Sequence, residues 1–200
     1  MVTSRSTSIE LFDTLAAEVR ACQICADDLP LGPRPVIQGS RQSRLLIAGQ
    51  APGRKVHETG IPFNDPSGVR LREWLGIDES VFYDPGQVAL LPMGFCYPGT
   101  GAGGDLPPRQ ECAAHWRQQL LDALPQVRLT VLVGSYAVRW HLPEASGSVA
   151  DIVGGWREHA PALFLAPHPS PRNNRWLRNH PWFEAEVVPA LQRAVRDCLA

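Results

Sequence analysis

Two groups of residues in this chain could do chemistry: one histidine in a proline-stiffened loop, and a set of cysteines. His168 lies in PHPSPRNNRW (167–176), followed closely by Ser170, Arg172, Asn173 and Arg175. Prolines 167, 169 and 171 fix φ and restrict the backbone, so the loop is stiff as well as polar. A histidine there is either a satisfied structural group or one held out for work, and residue type alone leaves both open. The chain has five cysteines. Cys22-x-x-Cys25 has the spacing of a metal or redox pair. With Cys96 and Cys112, four thiolates from three places could hold zinc or a [4Fe–4S] cluster. Alternatively, Cys96 and Cys112 are small buried hydrophobes. Cys198, near the end of the chain, reads as incidental.

Those residues need a scaffold, and the apolar runs supply one. LLIAGQ (45–50), VALLPMGFC (88–96), LTVLVGS (129–135) and ALFLAPHP (162–169) are short apolar runs bounded by turn residues. Such runs suit strands buried on both faces of a parallel sheet, the second one irregular after Pro92. SGVRLREWLG (67–76) predicts a helix capped by Ser67 and stopped by Gly76. Further helices are expected over 107–125, over YAVRWHL after the third strand, and over 182–199 with a kink or break at Pro189. An N-terminal helix over 8–21, capped by Ser8, places Ile9, Leu11, Phe12, Leu15, Ala16 and Val19 at helical spacing. The alternation predicts one α/β domain over 1–200: a three-layer α/β/α fold around a four-stranded, mainly parallel sheet. In such sheets ligands bind at the carboxyl ends of strands. The loops GQAPGRKVHETGIPFNDPSG, YPGTGAGGDLPP and HPSPRNNRW should therefore converge on one edge.

The net charge of −1 does not mark a nucleic-acid binder, but the distribution is informative. Lys55 is the single lysine, and Arg172, Arg175 and Arg178 fall close together beside Trp176 and Trp182. Arginine suits bidentate phosphate contact and stacking; a genome rich in arginine codons is the other explanation of the bias. No apolar run approaches the ~20 residues that span a bilayer. The N-terminal stretch lacks the apolar core of a signal peptide, so the protein reads as cytoplasmic and without structural disulfides.

GQAPG after the first strand, TGIPF shortly beyond it and HPSPRN after the last strand together resemble the uracil-DNA glycosylase superfamily. The resemblance runs from about Cys22 to Ala190. The order of CxxC, GQAPG loop, third cysteine and fourth cysteine is similar to the iron–sulfur branch (family four), while HPSPRN is similar to the loop of the single-strand-selective glycosylases. The resemblance implies a repair enzyme that flips a damaged base from single- or double-stranded DNA and hydrolyses its N-glycosidic bond. It implies that Phe63 stacks on the base, that Gln50 and Ala51 line the base pocket with backbone amides, and that His168 donates to the base carbonyl as charge develops. Ser170, Arg172, Asn173 and Arg175 would contact DNA, Arg172 taking either a phosphate or the vacated space. Cys22, Cys25, Cys96 and Cys112 would hold a [4Fe–4S] cluster, with zinc as the alternative occupant. A monomer is expected.

Two positions depart from the superfamily pattern. The acid that activates water in related loops is replaced by Gln50 or Ala51, depending on the branch compared. Other groups downstream are His57, Glu58, Asn64 and Asp65; of these, Glu58 and His57 are the favoured catalytic pair, while either acid could instead be a solvated loop residue or a helix-cap partner. The asparagine that reads the uracil edge in the iron–sulfur branch is replaced by Pro92, with Met93, Gly94 and Tyr97 nearby. Loss of that donor–acceptor pair relaxes or moves specificity, leaving uracil, a deaminated purine or an oxidised pyrimidine as the base. Two other readings compete: a non-catalytic protein of the same fold that binds damaged or single-stranded nucleic acid, and a metal-bearing α/β oxidoreductase using Cys22 and Cys25. The last would be expected to carry GxGxxG, which GQAPG lacks.

Overall fold

Four short apolar runs form the central sheet. The computed structural model describes residues 6–200. Strands β1 (Leu45–Ala48), β2 (Val88–Leu90), β5 (Leu129–Val133) and β6 (Leu163–Ala166) pair all-parallel in the order β2-β1-β5-β6. The register sets Leu45 opposite Val88 on one side and Leu129 on the other. Side chains alternate between two hydrophobic layers: Leu45 and Ile47 enter one, Leu46 the other, and Val88 and Leu90 are separated from Ala89 and Leu91 in the same way. This period of two, with both faces covered, yields three layers.

One outer layer holds α3 (Pro66–Leu75) and α9 (Val188–Leu199), whose Leu71, Trp74, Leu191 and Val195 are buried against the sheet. The other holds α1 (Ser6–Arg20) and α5 (Gln110–Asp122), with Phe12, Val19, Trp116 and Leu120 at the contact. Leu11, which the helical spacing groups with this stripe, is exposed. The chain crosses from β1 outward to β2, then returns past β1 to β5 and β6. The strand order thus reverses beside β1, and the crevice for a ligand lies beyond the carboxyl ends there.

Several boundaries differ from the sequence expectation. Helix α1 already runs from Ser6, so Ser8 is inside it; the side chains of Ser8 and Ile9 lie outside those described. Helix α3 is capped by Asp65, whose Oδ1 accepts from the Gly68 N–H at 2.9 Å; Ser67 is inside the helix and buried, because Pro66 occupies the first turn where its missing N–H costs nothing. β2 ends at Leu90, well before Cys96. The long loop after β1 contains α2 (Arg54–Thr59), closed by Gly60 at φ 73°, and is followed by α3 and the short α4 (Glu79–Phe82). The glycine-rich loop after β2 forms a two-stranded hairpin, β3 (Thr100–Gly101) with β4 (Gly104–Asp105). Short helices α6 (Ser135–His141) and α7 (Val149–Gly154) follow β5, and a Ser148–Asp151 capping box starts the second of them. The HPSPRN stretch ends in a 3₁₀ turn and α8 (Asn174–Asn179). A π-helical turn, Phe183–Val187, leads into α9, so Pro189 lies in that helix's first turn rather than breaking it. No helix among the described residues is long and apolar enough to cross a membrane.

Candidate active site

The three loops expected to converge do so, around a cavity of about 470 Å³, within the range of small-molecule sites. The loop after β1 contributes Gln50 and Ala51, the chain beyond β2 contributes Pro92 and Asp105, and the loop after β6 contributes His168, Ser170, Arg172 and Asn173. Phe63 and Asp65 close the remaining wall. Pairing of β1 with β2 continues past their ends: Met93 N–H donates to Gly49 O at 2.9 Å and Gly94 N–H to Gln50 O at 3.0 Å. Pro92 is thereby held beside Gln50.

Phe63 is the one described non-glycine residue with a left-handed backbone, φ 52°. Gly68 permits this, since a Cβ there would lie 1.7 Å from the Phe63 carbonyl oxygen. The Phe63 ring packs over Gly49, where a Cβ would come within 3.2 Å, and meets Phe82 edge-on at 6.0 Å. A bulky residue held in a costly conformation at a cavity wall is a feature of functional sites.

His168 follows the last strand and is half-buried. Burial lowers its pKa below the ordinary value, while Asp65 and Asp105 oppose the shift. The imidazole is therefore neutral at neutral pH. Its Nδ1 accepts from the Ser170 N–H at 3.2 Å, which assigns the ring proton to Nε2. Asn173 Nδ2 donates to His168 O at 2.7 Å, and Arg70 of α3 donates to the carbonyls of Pro169 and Ser170, both at 3.3 Å. Arg172 reaches across to Gly103 O at 3.3 Å and occupies the space a Cβ on Gly104 would need. The HPSPRN loop is thus braced from α3 on one side and from the hairpin on the other.

The structure does not bring Glu58 and His57 into this cavity. Both sit on α2, where Glu58 is exposed and ion-paired with Arg54 at 3.0 Å, four residues back on the same face. His57 turns toward Tyr97, ring centroids 6.1 Å apart, with its Nδ1 buried and unpartnered. The carboxylates that line the cavity are Asp65 and Asp105. The sequence offered Asp65 as one candidate among several. It offered no signal for Asp105, which reaches the cavity only because the hairpin folds back over the β1 loop. Arg175, on α8, is exposed and outside the cavity.

Cys22, Cys25, Cys96 and Cys112 also come together, in a second, tight cleft away from the first. Burial pushes the Cys96 thiol up to about 11 and Cys112 up to about 12. Burial also raises Cys25, as does Glu111 nearby. Donors already point at two of the sulfurs: Trp116 Nε1 donates to Cys22 Sγ and Phe95 N–H to Cys112 Sγ, each at 3.3 Å. Arg109 lies against Cys25 and keeps its Nε buried without a partner. Among the described residues, no group of three or more His, Cys, Asp or Glu side chains is gathered tightly enough for a single metal ion. One zinc would need all four sulfurs at ~2.3 Å from one point. The N–H donors and Arg109 lie where they would offset negative charge on sulfur.

The fold and site define an α/β protein with a polar cavity at the switch point of its parallel sheet, floored by an aromatic ring and faced by a half-buried histidine. The sequence matches the family model of the uracil DNA glycosylase superfamily over residues 36–192, and the chain belongs to that superfamily, whose members are generally DNA glycosylases.

Proposed function

We propose that this chain is a monofunctional DNA glycosylase that hydrolyses the N-glycosidic bond of a flipped, deaminated base, with uracil the first candidate. The observation that carries this is His168: neutral, with Nδ1 occupied and its Nε2–H left to donate. When the base departs, its electron pair spreads onto a ring carbonyl oxygen. A fixed neutral donor stabilises that charge more in the transition state than in the ground state, because it need not reorganise. Phe63 supplies a stacking face, and the backbone around Gln50 and Ala51 supplies the opposite wall. Ser170, Arg172 and Asn173 form the edge that meets the DNA backbone.

The four cysteines would hold a [4Fe–4S] cluster, as in the iron–sulfur branch. Its role here is scaffolding: Cys22 and Cys25 follow α1, Cys96 follows β2 and Cys112 begins α5, so one cluster would tie these segments together. Metal binding replaces the protons that burial otherwise keeps on Cys96 and Cys112.

Ala51 and Pro92 favour a second reading, a damage-binding protein of the same fold that does not cleave, since neither supplies the functional group expected at its position. Alkaline cleavage of single-stranded oligonucleotides carrying deoxyuridine, hypoxanthine, xanthine or an oxidised pyrimidine separates the two. Base release from at least one substrate, deoxyuridine first, is expected. Tight binding with no release from any would make the non-catalytic reading correct.

A further inference from the structure

We infer that Asp105 is the carboxylate that receives the proton of the attacking water, an assignment that rests on the glycosylase reading above. Two acids line the cavity. Asp65 is committed to structure: its Oδ1 caps α3 through Gly68 N–H, at the point where Phe63 takes its left-handed turn. Asp105 has no such duty. It stands at the end of the β3–β4 hairpin, exposed to solvent from which water is drawn. Thr100 Oγ1 donates to its Oδ1 at 3.1 Å, and Thr100 in turn shares a 2.5 Å hydrogen bond with the hydroxyl of the buried Tyr97. This relay orients the carboxylate and leaves Oδ2 near Gly53, in the loop after β1, where a Cβ would lie 3.5 Å from it. Asp105 also lies close enough for its charge to act on His168. The acid missing from positions 50 and 51 is therefore replaced at the same loop by one supplied from another segment.

The step balances without a further reactant. The C1′–N bond breaks and its electron pair leaves with the base, whose carbonyl oxygen accepts from His168 Nε2–H. Water oxygen bonds to the electron-poor C1′. Its proton passes to Asp105 and then to solvent. The carboxylate's charge also stabilises the oxocarbenium-like sugar before water attacks.

The test is single-turnover base release by the full chain from the oligonucleotide cleaved fastest by wild type. Asp105→Ala should slow release by about 10²–10³-fold, with oligonucleotide affinity and melting temperature unchanged, and formate should restore part of the rate by standing in for the lost carboxylate. Thr100→Val should cost less, and Thr100→Ser should recover the wild-type rate, since only the hydroxyl is needed to position Asp105. The assignment is overturned if Asp105→Ala releases base within about threefold of wild type, or if formate has no effect while Asp65→Asn shows the larger loss. A wild type that releases no base overturns the glycosylase reading and this assignment together; a wild type that cleaves beside an equally active Asp105→Ala overturns this assignment alone.

Discussion

The cavity beyond β1 and the cysteine cleft beside α1 and α5 are built from the same sheet but in opposite ways. The cavity is open and polar, and its groups retain unused capacity: the Nε2–H of His168, one oxygen of Asp105, and the face of Phe63. The cleft is tight; buried thiols there have pKa values pushed up to about 11 and 12, and backbone and indole N–H groups already point at sulfur. On the proposed reading, the first would act on a base that comes and goes. On the same reading, the second would take a cluster that stays and displaces protons. The difference teaches that residue type does not by itself mark the open site: the cysteines look more reactive in sequence, yet it is the histidine that lines the open cavity.

The sharpest way to break that contrast is at Gly68. Gly68→Ala forces a Cβ into the Phe63 carbonyl, so Phe63 must leave its left-handed conformation. Base release should fall by about 10²-fold or more, with iron content unchanged, as a release assay beside iron analysis would show. Cys112→Ser acts on the other region: it should abolish bound iron and acid-labile sulfide and lower the melting temperature by about 5–10 °C. Release per folded molecule should change far less.

A third prediction concerns acid stability. Burial first, and then the Arg117 guanidinium, pull His141 down to about 4. Below the ordinary value near 6.5 the unfolded chain takes up a proton that the folded chain refuses. Stability should therefore be flat above that pH and fall between about 6.5 and about 4. His141→Gln, which keeps an acceptor for Arg117, should flatten the curve in a melting series. The smallest effect is expected at Glu58. Its ion pair with Arg54 is exposed, so Glu58→Gln should alter both release and stability by less than about twofold and 0.5 kcal/mol.

Much of the scaffold was legible because parallel strands buried on both faces read as short apolar runs stopped by glycine and proline. The convergence of three loops followed from that topology, and it brought His168 and Phe63 to one cavity, while the four cysteines meet in a separate cleft. Other features depend on contacts distant in sequence. Ser67 and Asp65 are both good capping residues; Pro66 between them moves the start of α3 forward. Glu58 and His57 lie next to the GQAPG loop in sequence, but Gly53 and Gly60 bound a helical turn that carries them away from the cavity. Asp105 lies in a glycine-rich stretch without periodicity, and only the pairing of Thr100 with Asp105 brings it back.

The most direct measurement of the central claim is single-turnover base release by wild type and His168→Ala, with the affinity of each for the same oligonucleotide determined in parallel. The expected result is a rate lowered by about 10²–10³-fold at nearly unchanged affinity, because the lost donor acts only on charge that develops as the base leaves. Equal rates in the two proteins, or a loss confined to affinity, would contradict the assignment of His168 and of the cavity it faces.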